Sequence, residues 1–168
     1  DAYRVAAAAV RQNPASLAWR ERLAQVAEWS GRPDEGLRQW LAIAQKTGNE
    51  KAWQSVLRLA PGVNDDAALL AAWQHMAATG QVKGAQWARV AEAFERLGRP
   101  REAIDYLEPF VARHPDPALL ETIASLYERS GDAADAIAAY RRLIATAGAT
   151  RARVLRLGRD AFERFSDA

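Results

Sequence analysis

The stretch ERLGRPREAI (residues 95–104) reads as the end of one helix, a Gly-Arg-Pro corner and the start of another. The chain says nearly the same thing at EWSGRPDEGL (28–37) and at ERSGDAADAI (128–137). The starts are 67 and 33 residues apart (28 to 95 to 128), so one copy is due near residue 61. Periods of roughly 20–50 residues mark arrays of one repeated supersecondary unit.

The residues on either side of each corner carry helical spacing. Before the corner at 95, Trp87, Val90, Ala91 and Phe94 fall at i, i+3, i+4 and i+7, one apolar face. After it, Ala103, Ile104, Leu107 and Phe110 do the same, and Pro115 ends the helix. The corner at 128 is flanked by Leu120, Ile123, Ala124 and Tyr127, then by Ala136, Ile137, Tyr140 and Leu143. The corner at 28 lies between Trp19, Leu23, Ala24, Ala27 and Leu37, Trp40, Ile43, Ala44. The missing copy is PGVNDDAALL (61–70), set between Trp53, Leu57, Ala60 and Leu69, Leu70, Trp73, Met76. There Pro61 and Gly62 are expected to stop the first helix by a different turn. Asn64 is expected to cap the next helix, with Asp65 and Asp66 suiting its N-terminus.

Four units of about 34 residues therefore account for most of the chain. Expected boundaries are 16–48, a degenerate unit 49–82, then 83–116 and 117–149. Residues 1–14 read as the second helix of a preceding unit, ended by Pro14, and 150–168 as the first helix of a following one. In that last stretch AFERFS (161–166) echoes AFERLG (93–98), so another corner is expected to begin there; with Asp1 in place of Met and nothing resembling a signal peptide, the chain reads as an internal fragment of something longer. The expected fold is all-α, an α-solenoid of antiparallel helix hairpins with about ten helices.

Bulk composition agrees. Of 168 residues, 49% are hydrophobic, dominated by Ala and Leu, and β-branched residues are sparse, which favours helix over strand. Charge is balanced, 23 basic against 21 acidic residues, and interspersed, giving little support to a nucleic-acid partner. No run approaches the ~18–20 apolar residues of a membrane span. With no Cys there are no disulfides and no thiolate chemistry, a state compatible with cytoplasm or periplasm.

The units resemble the tetratricopeptide repeat. Its marks here are the large residue opening the first helix (Trp19, Trp53, Trp87, Leu120) and an aliphatic-plus-small pair (Leu23-Ala24, Val90-Ala91, Ile123-Ala124, Leu157-Gly158). An aromatic follows (Phe94, Tyr127), then a small residue in the second helix (Ala103, Ala136) and a terminal Pro (Pro14, Pro115). Trp19 stands one residue out of frame, Gly36 replaces the usual Ala, and the second unit lacks the Gly corner. The wording WRERLAQVAEWSGRPDEGLRQWLAIAQ (19–45) also resembles the repeats of the Pel exopolysaccharide outer-membrane export scaffolds. That resemblance implies a periplasmic array that holds a polymer-modifying enzyme, a deacetylase or hydrolase, near the export pore. The tetratricopeptide resemblance itself implies a non-catalytic scaffold that binds protein through its concave face.

With the apolar faces inward, certain first-helix positions are left to line that concave face. They are Glu21, Gln25, Glu28 and Trp29, then Gln54 and Arg58, then Arg89, Glu92 and Glu95, and finally Glu121, Ser125 and Glu128. Six are Glu, so the set describes an acidic groove for a basic peptide surface or a cationic polysaccharide, sensitive to salt. Each Glu taken singly is equally a good helix former on a solvated face with local Arg partners. Trp19, Trp40, Trp53, Trp73 and Trp87 fall on expected core faces, while Trp29 beside the corner is either a partner anchor or a stacking residue. The run Arg151, Arg153, Arg156, Arg159 reads as a solvated face or a seam between repeats. His75 and His114 have no metal spacing, and no nucleophile–base order or phosphate loop occurs, so neither cofactor nor metal nor catalysis is expected.

Overall fold

A computed structural model describes residues 2–113 and 115–147. His114, the Arg151–Arg159 run and the expected half-repeat 150–168 lie outside the described residues. Within them the chain is all-α: nine α-helices and one short 3-10 turn, with no strand. It divides into two compact units, Asp1–Gln81 and Val82–Ala168.

In the first unit, α1 (Ala2–Gln12), α2 (Leu17–Trp29), α3 (Pro33–Thr47), α4 (Glu50–Leu59) and α5 (Asp66–Ala78) follow one another, with a 3-10 turn at Ala60–Val63 between the last two. Each helix packs on its chain neighbour, so the motif is a run of antiparallel hairpins. Starts are set by local chemistry. Asn49 Oδ1 accepts the Ala52 N–H at 3.0 Å, and Pro33 opens α3, where its missing N–H costs nothing. Buried Leu23, Leu37, Trp40, Ile43, Trp53 and Val56 form the shared apolar seam. Burying each side chain of this kind contributes about 1.5–3 kcal/mol.

The second unit holds α6 (Gln86–Arg96), α7 (Pro100–Arg113), α8 (Pro117–Arg129) and α9 (Ala133–Ala147). Here α6 packs on both α7 and α8, and α8 on α9. Asp116 does two jobs at the start of α8. Its Oδ1 accepts the Ala118 N–H at 2.8 Å, and its Oδ2 accepts Trp87 Nε1–H at 3.1 Å, tying α6 to the next first helix. Phe94 meets Tyr106 and Trp87 meets Phe110, at centroid separations of 5.4 and 5.3 Å, which clamps α6 to α7.

All four corners turn out to be one device. Gly31, Gly98 and Gly131 sit at positive φ, and the following N–H reaches back to the last turn: Arg32 to Ala27 O, Arg99 to Phe94 O, Asp132 to Tyr127 O, at 2.9–3.0 Å. The degenerate corner does the same, with Asp65 N–H on Ala60 O at 3.0 Å and Asn64 at φ +56°. Asn64 therefore occupies the glycine position of the turn. This corrects the expected capping role: the N-cap of α5 is Asp65, whose Oδ1 accepts the Ala68 N–H at 2.9 Å. Asn is the residue other than Gly that visits the left-handed region readily, because its short side chain bonds locally. Replacing Asn64 by Gly is expected to leave stability level or raise it by up to about 1 kcal/mol, and Asn64→Val to lower it by about 1–2 kcal/mol. Urea unfolding of the two variants measures both.

The tryptophans split. Trp40, Trp53 and Trp87 are buried, Trp73 is half-buried, and Trp19 is 41% exposed. The one-residue frame slip noted in the sequence explains Trp19, which rolls off the buried stripe of α2.

Candidate partner-binding face

The first-helix side chains are positioned by ties that run from one repeat to the next. In the first unit Glu21 Oε1 accepts from Lys51 Nζ at 2.8 Å and from Gln25 Nε2 at 3.3 Å. One heptad further along α2, Glu28 Oε2 accepts from Arg58 Nη2 at 2.8 Å. The two rungs share one spacing, 21 to 51 and 28 to 58, so they pin α2 to α4 at two heights. Glu28 also accepts Trp40 Nε1–H on Oε1 at 2.7 Å, which ties α2 to α3. Gln54 turns to Glu50 of its own helix, at 3.4 Å. Trp29 is 82% exposed.

Gly36 is explained by the same carboxylate. A Cβ at that position would lie 3.0 Å from Glu28 Cγ and 3.4 Å from Ala24 O. The third and fourth repeats hold Ala103 and Ala136 there, fully buried. The first unit has no methyl there, and the Glu28 side chain packs into that space as it lies over α3 toward Trp40.

In the second unit Arg129 grips Glu95 with two parallel bonds, Nε to Oε1 at 2.9 Å and Nη2 to Oε2 at 3.1 Å, the strong bidentate form. Its Nη1 donates to Ser125 Oγ at 2.6 Å. Arg89 pairs with Glu92 in its own helix at 2.9 Å. Glu128 accepts the Tyr140 hydroxyl at 3.1 Å, the counterpart of Glu28 with Trp40. Glu121 and Ser125 line an open cavity of about 430 Å³, with Ala85, Ala88, Ala118 and Thr122 as its other walls. The Thr122 hydroxyl is already committed to Ala118 O at 2.8 Å.

The structure thus gathers the expected residues into three kinds of place. Glu21, Glu28, Arg58, Glu95 and Glu128 serve as ties between helices, while Gln25, Gln54, Arg89 and Glu92 bond within their own helices. Glu121 and Ser125 border open space, and Trp29 stands in solvent. Exposed single pairs of this kind are worth only about 0–1 kcal/mol each, so their main effect is to fix register and to cancel charge. The small residues Ala85, Ala88 and Ala118 were absent from the sequence reading, because Ala on a helix gives no signal of facing a partner. The Trp40 and Tyr140 donors did leave one: each follows its corner Glu by twelve positions (28 to 40, 128 to 140).

Nothing on these faces assembles a nucleophile with a base. Burial raises the Tyr106 hydroxyl above its ordinary range, against the pull of Arg113, and burial with the Glu108 and Asp135 carboxylates raises Tyr127. Both stay protonated at neutral pH. Among the described residues no group of His, Asp or Glu is placed to hold a metal ion, and no helix is long and apolar enough to cross a membrane.

A tetratricopeptide repeat family model matches residues 89–152. Solved structures share the fold. The tetratricopeptide-repeat protein TTC0263 of Thermus thermophilus aligns with a TM-score of 0.50 and 16% identity, over 95% of this chain and 88% of that one. A structure of MamA from AMB-1 aligns with a TM-score of 0.51 and 19% identity, over 83% and 78%. At such identities the likeness is one of fold. No curated protein matches the sequence.

Proposed function

We propose that the chain is a non-catalytic scaffold whose first-helix faces hold a segment of another protein. The observation that carries this reading is the open cavity between α6 and α8, walled by small side chains and edged by Glu121 and Ser125. Small walls let a partner backbone approach closely, and the two polar edges offer one anionic and one hydroxyl contact. The setting proposed is the periplasmic part of a Pel-like polysaccharide export complex, with a deacetylase or hydrolase as the protein held. The wording of residues 19–45 supports that setting. Ala88→Trp, which fills the cavity from an exposed position, and Glu121→Lys are each expected to weaken retention of such an enzyme at least tenfold. Binding isotherms with the purified array measure it, with helical circular dichroism as the folding control. Unchanged affinity in both variants would remove the cavity from the reading.

A second reading, direct guiding of a cationic polysaccharide, draws on Trp29, whose exposed indole could stack on a sugar ring. It has less support, since Glu21, Glu28, Glu92 and Glu95 each meet a basic side chain that cancels their field. Titration of glucosamine oligomers against Trp fluorescence separates the two readings.

A further inference from the structure

The cavity between α6 and α8 has a counterpart between α2 and α4 of the first unit, and there the chain bridges it with its own side chains. The four corners set the register: Arg32, Asp65, Arg99 and Asp132 each send an N–H back to the carbonyl five places earlier. Matching Arg32 with Arg99, and Asp65 with Asp132, moves both first helices by the same 67 residues. At the start of α6, Ala85 and Ala88 then stand where α2 has Ala18 and Glu21. On α8, Ala118, Glu121, Thr122 and Ser125 stand where α4 has Lys51, Gln54, Ser55 and Arg58.

Two rungs join α2 to α4, Lys51 Nζ to Glu21 Oε1 and Arg58 Nη2 to Glu28 Oε2, both at 2.8 Å. Only one of them has a counterpart between α6 and α8. Glu95, in the place of Glu28, keeps an arginine: Arg129 reaches it from one turn further along α8 and donates to Ser125, which stands in the place of Arg58. The other rung is gone. Ala88 and Ala118 replace Glu21 and Lys51, and both line the open cavity of about 430 Å³.

The lining specifies what refills it. Of its six residues only Glu121 carries charge. Arg129 is held by both oxygens of Glu95, and Arg89 by Glu92, so these neighbouring cations are already compensated. Glu121 also interacts within the chain, and the two oxygens of a carboxylate accept several donors. An apolar occupant would strip water from Glu121 and return no bond, and an anion would meet its charge. A long cationic side chain meets both demands, with methylenes on the alanine walls and its head at the carboxylate.

We infer that the α6–α8 cavity receives a lysine side chain of the held segment, its stem over Ala85, Ala88 and Ala118 and its ammonium on Glu121. The partner thereby supplies from outside the cation that Lys51 supplies from within. The inference rests on the reading of this cavity as the seat of a partner segment, and adds the chemistry of the residue seated there.

Amide NMR of the 168-residue chain, titrated with three blocked pentapeptides, is the test. The peptides are Gly-Ala-X-Ala-Gly, with X as lysine, its uncharged analogue norleucine, or glutamate. The lysine peptide is expected to shift the amides of Ala88, Ala118 and Glu121 and to bind at least tenfold more tightly than either of the others. Added salt should weaken it, and Glu121→Gln, which keeps the shape and removes the charge, should cost at least fivefold. Ala88→Glu combined with Ala118→Lys rebuilds the first-unit rung across the cavity. That double variant should keep its helical circular dichroism and lose the lysine-peptide shifts. Norleucine binding as tightly as lysine overturns the inference while leaving the cavity as a seat for a partner segment. Lysine binding that Glu121→Gln or the double variant leaves intact overturns it as well. So does the absence of shifts with all three peptides, in which case the enzyme isotherms of Ala88→Trp and Glu121→Lys decide the wider reading on their own.

Discussion

Leu107→Ala is expected to cost about 3 kcal/mol, within the 2–5 kcal/mol typical of buried Leu truncation, and to spend it on one unit. Leu107 is fully buried on α7, the helix that packs against both α6 and α8. Truncation removes three carbons from a site whose walls are themselves helices tied at both ends, Trp87 to Asp116 and Arg129 to Glu95. Such walls collapse little, so most of the cavity term stays. In an array stability is a sum of local terms, so the loss should not spread evenly. Amide exchange by mass spectrometry should show faster exchange through α6–α9 and near-native protection in α1–α5. Leu107→Met, which keeps the volume, should cost less than about 1.5 kcal/mol. Uniform loss of protection over both units would show instead that residues 2–147 unfold as one block.

The fold was legible because its punctuation is chemical. A Gly that must sit at positive φ, followed by residues suited to a helix start, is visible in a string of letters, and three copies fix a period. The fourth was misread for a physical reason. Asn64 suits both an N-cap and the left-handed turn, and only the Asp65 N–H bond to Ala60 O tells which role it has. Periodicity also found most of the seam, and it failed at Trp19, where one residue of slip turns a large side chain from core to surface. The face offered to a partner was less legible. Outward positions are assigned by elimination, and elimination cannot see a partner thirty residues away. Glu21 and Glu28 read as solvated acids, yet they are held by Lys51 and Arg58 of the next repeat. The cavity walls Ala85, Ala88 and Ala118 gave no sign, since Ala fits any face of a helix.

Glu28→Ala is the second large effect expected, about 2 kcal/mol, and it separates the two bonds this carboxylate makes. The rung to Arg58 is exposed on the Arg side, and losing it should cost only tenths of a kcal/mol. The bond from Trp40 is different. Trp40 is buried, its Nε1–H has Glu28 as acceptor at 2.7 Å, and stranding that donor costs about 1–3 kcal/mol. Glu28→Gln keeps an acceptor carbonyl for the indole and should lose less than half as much. Trp40→Phe removes the donor, so in that background Glu28→Ala should become nearly neutral, and the double-mutant cycle should return about 1–2 kcal/mol of coupling. Gly36→Ala offers an independent approach to the same contact. Its new methyl, 3.0 Å from Glu28 Cγ, requires that side chain to shift by a few tenths of an ångström against the Trp40 bond, so Ala is expected to destabilise this repeat although it is the better helix former. Urea unfolding of these five variants beside the parent decides it. A Gly36→Ala chain more stable than the parent would mean that Glu28 yields freely and that the indole bond contributes little.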